Sequence, residues 1–154
     1  MTTNSKNNSY NSKHYDERQL IDRYRISFET LMLTFVLIFA NGMIKLAYGP
    51  WAAENTEMMI LLAIPTTYFL IRAVWKGAYF SAQMKSYTWS LVLFAILGLF
   101  NISVSIYSIM NGGTAIENGM PSENLFQFFL GIPFLAIPIV YMIKKAVTKE
   151  EDEE

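Results

Sequence analysis

The sequence predicts an all-α, polytopic membrane protein: four transmembrane helices arranged as two helical hairpins, with both termini on the cytoplasmic side. Three observations carry that expectation. The chain is apolar, with 53 % hydrophobic and 16 % charged residues, against roughly 45–50 % and 25 % in a soluble domain. Four apolar segments approach the roughly 20 residues that a spanning helix needs. Basic residues alternate in side from one connection to the next. A soluble helical domain would have to hide four such segments within 154 residues, more apolar surface than so small a core can cover.

Residues 1–15 are a polar, low-complexity stretch, expected to be a disordered cytoplasmic tail. They hold the single His14 and no apolar core of a secretory signal, so the first apolar segment reads as a retained anchor. The transmembrane domain is expected over 16–147, with spans at about 26–46, 58–75, 88–110 and 125–143. Asp16 followed by Gln19 in "DERQ" is a helix-start signal of the capping-box kind. The helix it opens leads into the first span, "ISFETLMLTFVLIFANGMI". Gly49-Pro50 marks the first turn.

The second span, "MMILLAIPTTYFLIRAVW", is uncharged from Met58 to Ile71, and Arg72 near its end can snorkel to the interface. The third span lies in an uncharged run from Ser86 to Ile116, and the fourth in one from Asn124 to Ile143. Between them "NGGTAIENGMPSEN" is rich in turn signals. Residues 148–154 are an acidic tail, expected to be solvated and cytoplasmic.

Orientation rests on the basic residues. Lys6, Lys13, Arg18, Arg23, Arg25, Arg72, Lys76, Lys85, Lys144, Lys145 and Lys149 fall on one side; Lys45 alone falls on the other, with Glu54, Glu57, Glu117 and Glu123. Two stretches, "AIPTTYFLIRAVWK" from Ala63 and "AIPIVYMIKKAVTK" from Ala136, align without a gap at an offset of 73 residues. Both run toward the basic side, which suits a parallel duplication of a hairpin or two exits shaped by the same membrane physics.

Polar residues inside apolar spans are the candidate functional groups. Glu29 lies about one turn inside the first span, with Arg25 four residues earlier; an interfacial ion pair is the simpler reading, and cation or proton coupling the functional one. Asn41 and Lys45 share a face one turn apart. Gly98, Asn101, Ser105 and Ser108 form one stripe of the third span, suited to close helix packing or, alternatively, to a hydrated path. Pro65, Pro133 and Pro138 interrupt the second and fourth spans, as in many membrane helices.

No catalytic pattern appears. There is no Cys, no metal-ligand spacing, no phosphate loop and no Gly-x-Ser-x-Gly. The expectation is a protein that is not an enzyme and takes no cofactor or metal. The motifs "DERQLIDRYRI", "NGMIKLAYGPWA" and "RAVWKGAYFS" resemble a group of small uncharacterised four-helix membrane proteins of Gram-positive bacteria, over residues 16–85. The resemblance implies a bacterial plasma-membrane location and brings no activity, substrate or site residue.

The leading functional expectation is a non-catalytic membrane protein acting through helix–helix or partner contacts. Its partners would be the lipid bilayer and a second copy of the chain or another membrane protein, with no nucleic acid. The alternatives are a small oligomeric transporter or channel, with Glu29, Asn41, Lys45 and Asn101 lining a path, and a membrane immunity or stress factor.

Overall fold

A computed structural model describes residues 16–80 and 87–151, with side chains as far as Thr148. The polar tail 1–15, Lys85 and residues 152–154 lie outside the described residues. Within them the regular structure is helical apart from one tiny hairpin. Its four helices are each long and apolar enough to cross a membrane.

Helix α1 spans Glu17–Tyr48. Its start is set by the capping box: Glu17 N–H donates to Asp16 Oδ1 at 2.8 Å, and Asp16 N–H to Gln19 Oε1 at 3.3 Å. Gly49 ends it with φ 82°, a left-handed conformation that a side chain would resist. Helix α2 spans Glu54–Trp75 and closes through Gly77 at φ 70°. There Ala78 N–H donates to Ala73 C=O at 2.8 Å and Gly77 N–H to Val74 C=O at 3.0 Å, which satisfies two of the last helical carbonyls.

Helix α3 spans Thr88–Met110. Strands β1 (Ile116–Glu117) and β2 (Met120–Pro121) then pair antiparallel, with Glu117 opposite Met120. Asn118 and Gly119 between them both have positive φ, 52° and 80°, as a two-residue hairpin turn requires. A 3-10 turn, Glu123–Leu125, leads into helix α4, Phe126–Glu151. The helix runs on through Pro133 and Pro138, both buried against the bundle, as Pro65 of α2 is.

Contacts between helices run in the order α1, α2, α4, α3. Helix α4 packs most heavily, against both α3 and α2, and Val74, Ile137 and Val140 form the core beneath Leu70, Phe94 and Tyr141. At the α3–α4 crossing the backbones come close. A Cβ on Gly98 would sit 2.6 Å from Leu135 Cγ, and one on Gly131 would sit 2.8 Å from the Gly98 carbonyl. Only glycine fits there, the device by which apolar helices gain dispersion contact.

Helix α1 is the outlier. It packs on α2 alone to any extent, and Ile26 is its one buried residue. Glu29, Leu33, Leu37 and Asn41 form a narrow, half-buried stripe, while Phe28, Phe35, Val36 and Phe39 are exposed. An exposed apolar surface on this scale is the signature of a lipid or protein interface rather than of a water-facing one.

Candidate functional site

The antiparallel contact of α1 with α2 carries two polar clusters, one toward each end. In the first, Glu29 Oε2 accepts from Tyr68 Oη at 2.8 Å and from Arg72 Nη2 at 3.0 Å. The Arg72 guanidinium also lies 5.9 Å from the centre of the Tyr68 ring. Tyr68 and Arg72 are one turn apart on α2, so both reach the same carboxylate. The i−4 partner read from the sequence is therefore replaced: Glu29 pairs across the helix contact, and Arg25 is exposed with no carboxylate partner among the described residues. A residue on the far helix wins because the α1 stripe that holds Glu29 faces α2.

In the second cluster, Glu57 Oε1 accepts from Asn41 Nδ2 at 2.7 Å and from Lys45 Nζ at 3.0 Å. Trp51 Nε1 donates to Asn41 Oδ1 at 2.6 Å, so the Gly-Pro turn is tied into the same knot. Glu57 is buried, with its side chain 5 % exposed, while that of Lys45 is 43 % exposed. Its second oxygen, Oε2, is buried with no hydrogen-bond partner among the described residues. The span expected at about 58–75 leaves Glu57 just outside it; the structure places Glu57 in the first turn of α2, where acids also suit the helix dipole. A signal was present: Asn41 and Lys45 on one face call for an acceptor, and the short turn after Tyr48 carries the antiparallel register to Glu57.

The α3 candidates belong elsewhere. Asn101 Nδ2 donates to Leu97 C=O of its own helix at 2.7 Å. Ser105, fully buried, donates to Asn124 C=O at 2.6 Å, and Ser108 to Asn124 Oδ1 at 2.7 Å. Asn124 in turn donates to Thr114 C=O at 3.0 Å, as Ser122 Oγ does, so these hydroxyls order the α3–α4 connection. That connection is pinned to the start of α2: Ala53 N–H donates to Pro121 C=O at 2.9 Å, and Thr56 Oγ1 to Ser122 C=O at 2.8 Å.

The five candidates thus do not converge. Glu29 lies in one cluster, Asn41 and Lys45 in a second, Ser105 in a third, and Asn101 bonds locally. A pocket of about 340 Å³ opens beside Ser105, Ser108 and Glu123, and none of Glu29, Asn41, Lys45 or Asn101 lines it. Among the described residues no group of three or more His, Asp or Glu is placed to hold a metal ion.

Residues 10–153 match the model of a family described as a family of unknown function, DUF6773. No curated protein and no solved structure matches the chain.

Proposed function

The chain belongs to the DUF6773 family of unknown function, and from that premise we propose that it is a multi-pass protein of the cell membrane, acting without catalysis through contacts between helices or with a partner. In this reading α1 with α2 and α3 with α4 form two hairpins, and both termini are cytoplasmic. The bilayer covers the exposed apolar face of α1, and the partner is a second copy of the chain or another membrane protein.

One observation carries the choice of packing over transport. Each candidate polar side chain within the spans has a hydrogen bond inside the chain, and among the described residues these bonds lie in separate places. Polar groups arranged so are the glue of membrane helices, which have no hydrophobic drive to associate within lipid. A transport path would instead leave some of them facing one hydrated route.

The test is flux across proteoliposomes. Vesicles holding the wild-type chain or its Glu29→Gln variant are expected to pass ions and dyes no faster than empty vesicles. Flux that depends on the chain and falls in the variant overturns the packing reading.

A further inference from the structure

At the end of the bundle where α1, α2 and α4 meet, Lys76, Lys144 and Lys145 pair with no carboxylate among the described residues, although the start of α1 brings Asp16, Glu17 and Asp22 to the same end. Its centre is the closing turn of α2. Gln19 of α1 donates to the Gly77 carbonyl at 2.8 Å, and Lys144 of α4 donates to the Val74 carbonyl at 3.3 Å. Lys144 is half-buried, and its Nζ lies 3.3 Å from where a Cβ on Gly77 would stand. A cation suits a helix C-terminus, yet one long bond to a carbonyl leaves two of its three N–H donors without a partner among the described residues.

Around it Lys76 and Lys145 are exposed, and among the described residues none of these three lysines pairs with a carboxylate. Trp75 beside Lys76, and Trp89 at the start of α3, are exposed at the same end, as befits the headgroup level of a bilayer.

We propose that this junction, centred on Lys144 and Lys76, binds the phosphate of an anionic phospholipid headgroup. The inference rests on the membrane reading above. Charge complementarity selects the occupant: among the described residues these clustered lysines pair with no carboxylate, and in the membrane reading the cytoplasmic leaflet supplies phosphodiesters at that depth. The acyl chains then lie along the exposed apolar faces of the helices, so one ligand meets both needs. The chain's own acidic run at 150–154 is the competing anion.

The test uses the full chain in bilayers of phosphatidylcholine mixed with phosphatidylglycerol, one or the other carrying brominated tails. Quenching of tryptophan fluorescence then reads the relative affinity for the two lipids. Phosphatidylglycerol is expected to win about tenfold. Lys76→Gln and Lys144→Gln should each cut that preference about fivefold, at about 1 kcal/mol per surface lysine, and Lys144→Arg should keep it. Lys76 is exposed, so its variant reads the site even if Lys144→Gln does not fold.

Equal quenching by both lipids overturns the site, as does a preference that both glutamine variants retain. So does displacement by inorganic phosphate, which would make the ligand a free anion, or a preference seen only after residues 150–154 are neutralised, which would make the tail the occupant. Alkaline carbonate extraction of cell membranes separates the two readings. A chain released by carbonate defeats the membrane reading itself; a chain retained without lipid preference defeats only the site.

Discussion

Glu57 and Asn101 mark opposite extremes among the polar side chains. Glu57 is buried and joins α1 to α2 through Asn41 and Lys45, whereas among the described residues the Asn101 side chain bonds its own helix. Bonds between membrane helices average about 0.6 kcal/mol and reach about 1.7 kcal/mol, and the exposure of Lys45 weakens the ionic share. Glu57→Ala is therefore expected to cost about 1–3 kcal/mol, read as a lower unfolding temperature in detergent. Asn101→Ala should stay within about 0.5 kcal/mol of wild type in the same assay; an equal loss in both would show that helix-to-helix bonding is not what Glu57 supplies. Apolarity patterns reveal which residues lie in spans but not which helix faces which. For that reason Glu29 was legible as a paired acid while Arg72, 43 positions away, was not its evident partner.

Helices α3 and α4 depend on backbone proximity more than on hydrogen bonds. Gly98→Ala and Gly131→Ala each drive a Cβ to within 3 Å of the opposite helix. Overpacking of this kind costs about 1–3 kcal/mol. Gly42 of α1 has nothing within 4 Å of an added Cβ, so Gly42→Ala should be neutral or up to about 1 kcal/mol stabilising through helix propensity. Thermal unfolding of the three variants checks this, and a destabilised Gly42→Ala would place a neighbour against that face of α1. The four helices were readable from hydropathy and length because those properties are local. The small-residue stripe on α3 was readable as well, yet its members divide: Gly98 makes the crossing, Ser105 and Ser108 order the connection, and Asn101 lies beside the crossing at Gly131 while its amide bonds its own helix. Residue type alone does not distinguish those roles.

At the scale of the whole molecule, the two copies of the repeated segment occupy equivalent places on α2 and α4 but make different contacts. Tyr68 and Arg72 hold Glu29, while Tyr141 packs edge-on against Phe80 and Tyr87, and Lys145 is exposed. The shared pattern thus does not make a common site. Reporter fusions at residue 154 and at Gly113 should report opposite sides of the membrane; the same side would overturn the four-span reading. The order of contacts also bears on how the chain is assembled. Synthesis delivers α1, α2 and α3 before α4, yet α3 owes most of its contact to α4. Until the ribosome has made Gly131, the third helix waits with its main partner still unmade. A chain that stops short of that point holds one tethered pair and one solitary helix, whose apolar face at Gly98 is left without its cover.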